Sequence, residues 1–216
     1  TAYFLQRGTP FIYQGQEIGM LGGDFKTTAD LRDVESVSYI ERLGVHEVPE
    51  GLATMSRDNG RTPMQWDSSP AAGFSEEVPW IDVPASAEQI NVAAQADDPQ
   101  SILAYYRALI SARHIVPALT DGTFTRIDAS EPALFVYRRS TPGSDVLVMV
   151  NLSGEHTTPL FSRQDEAVAS LPWRLYLGNT DTSFVETDDA SDHIQSEPTV
   201  ITPMRPWEAR VYLLAD

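Results

Sequence analysis

The sequence predicts two architectures in series: the end of a βα repeat on a parallel sheet, then an antiparallel β-sandwich. Three observations carry that reading. The opening TAYFLQRGTPFIYQG runs from an apolar helix end straight into a short apolar segment bounded by Pro10 and Gly15, the junction found in βα units. SILAYYRALISAR at 101–113 repeats its apolar residues with the period of a helix. Beyond Pro117 the text changes to short β-branched and aromatic runs separated by Pro, Gly and Asp clusters, the punctuation of an antiparallel sandwich.

Taken in order, Ala2, Tyr3, Phe4 and Leu5 read as the last turn of a helix, with Gly8 where a C-terminal cap belongs. TPFIYQG at 9–15 reads as a strand buried on both faces. The stretch after it is irregular, with one helix expected around Val37 to Leu43. So long an irregular stretch in a compact domain is usually functional. Asp98 followed by Pro99 predicts a helix start, with Ile102, Leu103, Tyr106, Leu109 and Ile110 on one face and an end near His114.

The runs GTFTRIDA, ALFVYRRS, DVLVMVNLS, WRLYLGN and RPWEARVYLLA supply the expected sandwich strands. Phe135, Tyr137, Leu147, Val148, Val150, Leu175, Tyr176, Val211 and Leu213 are its expected core, and Trp173 and Trp207 read as core as well. The division falls at about residue 120, giving segments 1–119 and 120–216. Residues 179–198, acidic and polar, read as a long exposed loop. The chain opens without Met and already inside an apolar pattern. That reads as the interior of a longer sequence, with the apolar faces of Phe4, Leu5, Phe11 and Ile12 left without partners.

Composition narrows the function classes. The 216 residues can bury a real core as one large or two ordinary domains. With 31 acidic and 15 basic residues the net charge is −16. That argues against nucleic acid or an anionic membrane surface as partner, since both repel it, and fits a neutral ligand. The absence of cysteine excludes disulfides and thiolate metal sites. His46, His114, His156 and His193 show no ligand spacing, so no metal site is expected. No apolar run reaches the length of a membrane span. A Gly-x-Ser-x-Gly elbow and a phosphate loop are both missing. Carboxylates are so plentiful that an arbitrary pair carries no information; Glu17 and Glu35, taken alone, read as salt-bridge or capping acids.

The informative stretch is RDNGRTPMQWD at 57–67. Asp58-Asn59-Gly60 is a turn, and Pro63 holds Thr62 extended, so no helix runs through it. Arg, Gln and Trp are residues of forked hydrogen bonds and flat apolar contact. Two readings stand side by side: a polar loop whose Trp66 covers a core edge and whose arginines pair with acids, or one wall of a ligand pocket.

The order of segments favours the second reading. GTPFIYQGQEIGM at 8–20, RDVES at 32–36, RDNGRTPMQWD at 57–67, PW at 79–80, INV at 90–92, the 101–113 helix and RPWEARVYLL at 205–214 follow one another along nearly the whole chain. This succession closely resembles the C-terminal third of an α-glucosidase of the α-amylase superfamily, in its oligo-1,6-glucosidase, dextran glucosidase and sucrose isomerase branch. The resemblance implies the end of a TIM (β/α)8 barrel, with its last strand, long loop and last helix in 1–119, followed by an antiparallel β-sandwich, domain C, in 120–216. Barrel active sites lie at the C-terminal ends of the strands, so the loop after PFIYQ would face a sugar pocket.

In that family a carboxylate nucleophile and a Glu acid/base retain anomeric configuration, and the resemblance places all three catalytic carboxylates before Thr1. No catalytic residue is therefore expected in this chain, which alone should be inactive. What the resemblance leaves here is binding wall. Arg61 matches the arginine that pairs with an upstream Asp to grip the terminal glucose. Glu35 lies where the dextran glucosidase branch contacts the next sugar, and Tyr13 and Gln14 shape the pocket floor. Arg57, Asp58 and Gln65 would brace the loop. Gln16 departs from the family pattern, where Glu is common. No cofactor is expected. The expected partners are a small oligosaccharide and the N-terminal barrel portion of the same protein, with no nucleic acid and no membrane, and the expected location is the cytoplasm.

Two rivals remain: a non-catalytic relative such as the heavy-chain ectodomains that chaperone amino-acid transporters, and a free-standing carbohydrate-binding sandwich. Within the enzyme class, sucrose isomerases and transglucosidases share these segments.

Overall fold

The computed structural model describes residues 1–129, 131–161, 171–180 and 202–214. The chain packs as two compact units, Ile12–Ala104 and Thr1–Phe11 with Tyr105–Asp216.

The unit Ile12–Ala104 is held by loops and short helices. Helix α1 (Val34–Leu43) starts where the Asp33 carboxylate accepts the Ser36 N–H and ends on Gly44, whose positive φ of 66° suits a residue without Cβ. The expected helix is present and begins three residues earlier than the sequence pattern placed it. Helices α2 (Glu50–Met55) and α3 (Val92–Gln95) are short. Phe25, Leu31, Ile40 and Ile81 form the small core, with Val37, Val48 and Leu52 against it.

The expected strand at 9–15 is absent. Residues 10–13 adopt no regular structure, and Phe11 is 84% exposed. A strand buried on both faces needs ladder partners on each side, and no described residue pairs with this run.

In the other unit the opening residues form a turn instead of a helix end. Leu5 N–H still reaches Thr1 O in helical fashion, and Gly8 has a positive φ of 115°. Phe4 and Leu5 are buried against Leu109, Ala112, Val116 and Leu119, so they are partnered, contrary to the expectation from sequence. Arg113 donates to the carbonyls of Phe4, Gln6 and Gly8 at 2.9, 3.0 and 2.7 Å, satisfying a turn that no strand or helix could satisfy.

Helix α4 (Ile102–Ile115) starts later than Asp98-Pro99 predicts. Asp98 caps a tight turn through Gln100 N–H, and Ser101 Oγ accepts from Ala104 N–H as the helix cap. Its buried stripe is Leu109 and Ala112, with Tyr105, Tyr106 and Ala108 packed beside it, while Ile102 and Ile110 are exposed. Helix α5 (Pro117–Asp121) follows with proline in its first turn.

The five sandwich runs all become strands: β1 (Thr123–Ile127), β2 (Leu134–Thr141), β3 (Ser144–Asn151), β4 (Trp173–Gly178) and β5 (Ala209–Leu214). They form one antiparallel sheet in the order β1-β2-β3-β5-β4. Alternation along each strand feeds two cores. Tyr137, Val146, Val148, Val150 and Val211 face α4 and α5. Val136, Leu147, Met149, Trp173 and Tyr212 face the other way, beside Phe161, Leu171 and Met204. Burial on both faces explains the continuous apolar runs. A sandwich needs a second sheet; among the described residues there is this one, its far face covered by loop residues joined in the isolated pairs Ala129–Phe161 and Thr157–Met204.

Of the expected core, Tyr137, Leu147, Val148, Val150 and Val211 are fully buried, and Phe135, Leu175, Tyr176 and Leu213 pack half-buried at its edges. Trp207 departs from expectation. It lies in the turn before β5 with φ 58° and is 62% exposed, because strand alternation starts only at Ala209. Most of the 179–198 loop, and His193 with it, lies outside the described residues.

Candidate functional site

The site is built on a turn-rich frame in the unit Ile12–Ala104. Gly15 and Gly19, with φ 89° and 69°, bracket a single 3-10 turn, Gln16–Ile18, and Gln16 Oε1 accepts the Tyr13 N–H at 3.0 Å. Tyr13 then donates its hydroxyl to Gly60 O at 2.6 Å, fastening the segment after Phe11 to the RDNG turn.

Asn59 locks that turn from the other side. Its Nδ2 donates to the carbonyls of Ala53, Thr54 and Ser56, and its Oδ1 accepts Gly23 N–H at 3.0 Å. The approach is close: a Cβ on Gly22 would lie 2.3 Å from Asn59 Oδ1. Tyr13, Gln14, Gly15, Asn59, Gly60 and Thr62 thereby line one hollow of ≈ 300 Å³.

Two buried carboxylates organise the arginines. Asp58, fully buried, accepts the backbone N–H groups of Arg32 and Asp33 on Oδ2, at 2.6 and 2.7 Å, and Arg61 Nη1 on Oδ1 at 3.2 Å. Asp33 caps α1 and takes both Nε and Nη2 of Arg57 on Oδ1, at 2.9 and 2.6 Å; Arg61 Nη1 stands 3.8 Å from the same oxygen. Burial works to raise the Asp33 pKa, but the hydrogen bonds from Ser36 and Arg57 outweigh it and leave the carboxyl below its usual range. The hydrogen bond that Arg57 donates to Asp33 likewise holds the guanidinium above its ordinary value.

The four residues singled out from the sequence fall into three places. Tyr13 and Gln14 share the hollow. Glu35 is exposed, 3.5 Å from Arg57 Nη2, and lines an open groove with Val34, Ser38, Glu41, Arg42 and Arg57. Arg61 lines neither; its guanidinium is held by Asp58 with 38% of its side chain exposed.

Arg57 and Asp58 both bond to the segment that opens α1, Arg57 through the Asp33 carboxylate and Asp58 through the N–H groups of Arg32 and Asp33. Gln65 is fully buried, and residues 65–66 are tied to 92–93 through Val92 N–H to Gln65 O and Ala93 N–H to Trp66 O. Trp66 is half exposed, so it does not simply cover a core edge. The sequence reading passed over Asp33 and Asn59. The Asp-x-x-Ser spacing ahead of an apolar helix was the available signal for Asp33; nothing local marked Asn59, whose partners lie on two other loops.

Among the described residues no group of three His, Asp or Glu is arranged to hold a metal ion, and no helix is long and apolar enough to cross a membrane.

Comparison with known proteins gives the family. The family model "Alpha amylase, catalytic domain" matches residues 1–122. The oligo-1,6-glucosidase of Parageobacillus thermoglucosidasius is 36% identical over 98% of this chain and 36% of its own length. The trehalose-6-phosphate hydrolase of Escherichia coli (strain K12) is 42% identical over 69% of this chain and 28% of its own. Among solved structures, trehalulose synthase from Pseudomonas mesoacidophila MX-45 superposes with a TM-score of 0.77 at 32% identity, covering 99% of this chain and 38% of that one. The trehalose-6-phosphate hydrolase of Bacillus licheniformis gives 0.81 at 31%, covering 99% and 37%. The chain thus spans little more than a third of the length of the curated oligo-1,6-glucosidases it matches.

Proposed function

This chain belongs to the α-amylase family of glycoside hydrolases, and from that membership we propose that it is the C-terminal part of a retaining α-glucosidase acting on the terminal α-glucosidic bonds of short oligosaccharides. Relatives named as oligo-1,6-glucosidases and an α-glucosidase, each matching nearly all of its length, support the reading. In it, residues 1–119 are the end of the barrel and 120–216 are domain C. The carboxylate nucleophile and the acid/base belong to the barrel portion outside residues 1–216, which is this chain's partner in the cytoplasm.

The observation that carries the proposal is the Arg61 arrangement. A planar guanidinium is gripped from behind by a buried carboxylate while its outer face stays open. Such a fork can donate to two neighbouring sugar hydroxyls at once, which an ammonium cannot reproduce. Tyr13 and Gln14, drawn to the same loop by the Tyr13–Gly60 bond, floor the pocket, and Glu35 reaches the following sugar. Net charge of −16 suits a neutral substrate.

A second reading within the family is a sucrose isomerase or transglucosidase. The superposition on trehalulose synthase favours it, and both products arise from the same glucosyl-enzyme intermediate. The test is to incubate the full-length enzyme with isomaltose, maltose, sucrose and trehalose and resolve the products. Glucose release from isomaltose supports the first reading. Isomerised sucrose without net hydrolysis selects the second, and inertness toward all four refutes both. Residues 1–216 alone are expected to release no product from an aryl α-glucoside.

A further inference from the structure

Asn59-Gly60 is the one Asn-Gly step in the chain; Asn91, Asn151 and Asn179 are followed by Val92, Leu152 and Thr180. Such a step carries a reactivity of its own. The backbone nitrogen after an asparagine can attack the side-chain amide carbon, and a following glycine, lacking Cβ, hinders that approach least. Larger successors obstruct it.

The native turn holds the amide in place. Asn59 Nδ2 donates to the carbonyls of Ala53, Thr54 and Ser56 at 2.7, 3.2 and 3.0 Å, and Oδ1 accepts Gly23 N–H at 3.0 Å. Residues Arg57–Gly60 form a 3-10 turn, and closing a ring through Asn59 Cγ and Gly60 N forces the Asn59 backbone out of helical geometry. Attack therefore awaits a local opening. The Tyr13 hydroxyl, bonded to Gly60 O at 2.6 Å, opposes that opening. Asn59 is half-buried, so water reaches it once the turn parts. The backbone does not demand glycine here: Gly60 is not among the glycines with positive φ, and a Cβ on it would meet nothing closer than Tyr13 Oη at 3.5 Å.

We infer that Asn59 is a self-modification site, converted without an enzyme to aspartate or isoaspartate at a rate set by opening of the turn. Gly60 N attacks Asn59 Cγ, and the new C–N bond closes a succinimide. The Cγ–Nδ2 bond breaks, and Nδ2 leaves as ammonia with the proton given up by Gly60 N. Water then opens the ring at either carbonyl. The product no longer fits. Aspartate has no N–H for the carbonyls of Ala53, Thr54 and Ser56, and sets a carboxylate against three acceptors beside the buried carboxylate of Asp58. Isoaspartate also adds a backbone carbon between Asp58 and Arg61, whose side chains bond across this turn.

The test is mass spectrometry of peptides spanning residues 57–61 after warm, mildly alkaline incubation of the full-length protein. Methyl transfer by an isoaspartate-specific methyltransferase is a second readout. Neither uses turnover, so the result stands apart from the glucosidase proposal. Conversion should concentrate at Asn59 and leave Asn91, Asn151 and Asn179 intact. Gly60→Ala should slow it severalfold, and Tyr13→Phe, which removes the hydroxyl restraining Gly60, should speed it severalfold. Asn59→Asp should melt below the wild type and be cut faster by protease within residues 53–60. Equal conversion at every asparagine overturns the site, as does an Asn59 that stays intact while an unfolded peptide of the same sequence is converted. Equal rates in wild type and Tyr13→Phe overturn the gate, and an Asn59→Asp protein as stable as wild type overturns the consequence.

Discussion

Arg61 is anchored by Asp58, three residues earlier, through an Nη1 to Oδ1 contact of 3.2 Å. The carboxylate doing this is fully buried and is itself fixed by two backbone N–H groups on its other oxygen. The guanidinium is thus preorganised from behind at no cost at the moment of binding, which is where a binding residue gains most.

Arg61→Lys should lower kcat/KM of the full-length enzyme roughly ten- to hundred-fold. Losing one charge-assisted contact costs about 1.5–3 kcal/mol, and about 1.4 kcal/mol is one decade of rate. Arg57→Lys should do less, since Arg57 spends its fork on Asp33. Kinetics of both variants beside their melting temperatures decide the matter; full activity in Arg61→Lys would make the loop structural only.

Asp58 separates stability from binding. Asp58→Ala strands the N–H groups of Arg32 and Asp33 and should cost about 2–4 kcal/mol, one to two unmet buried hydrogen bonds. Asp58→Asn can keep those two bonds through its carbonyl oxygen but turns an amide donor toward Arg61. It should therefore lose less stability while raising KM, as read from urea unfolding and from substrate titration.

Acid should act through Asp33. Its folded-state pKa is depressed, below an unfolded value of about 3.9, so its contribution is complete above that value and disappears as pH falls through the folded pKa. Hence the stability gap between wild type and Asp33→Asn should be wide at neutral pH and narrow as pH falls below the unfolded value of about 3.9. A gap that stays constant across that range would remove Asp33 as an ionised cap. Glu208 adds the same acid limb in the sheet unit: burial opposes its ionisation, and the bonds from Arg210 and Arg205 prevail.

Arg139 is fully buried, has no ion pair with a carboxylate among the described residues, and donates to the carbonyls of Leu5, Gly122 and Thr123. Arg139→Met keeps the volume and orphans those acceptors, two of them through buried bonds. The sheet unit should lose about 3 kcal/mol, on the scale of a buried polar group left unpaired. Thermal unfolding checks this, and a loss near zero would mean that water replaces the guanidinium.

By itself, the sequence determined every strand of the sheet, helix α1, the body of α4 and the family, because each is written in local periodicity or in a contiguous run such as RDNGRTPMQWD. It also singled out Arg57, Asp58 and Arg61 as residues of one loop. Only the tertiary structure decided which residues those side chains meet. Asp33 serves both α1 and Arg57, and Asn59 reaches carbonyls of one loop and the N–H of another, partnerships between distant segments that no periodicity encodes. The same reason governs the misplacements. PFIYQ has the composition of a buried strand, but a strand exists through its ladder partners, and the described residues provide none. Trp207 alternates correctly with the residues of β5, yet its left-handed backbone, imposed by the bonds of Ser153 and Asn179, turns the ring out of the core.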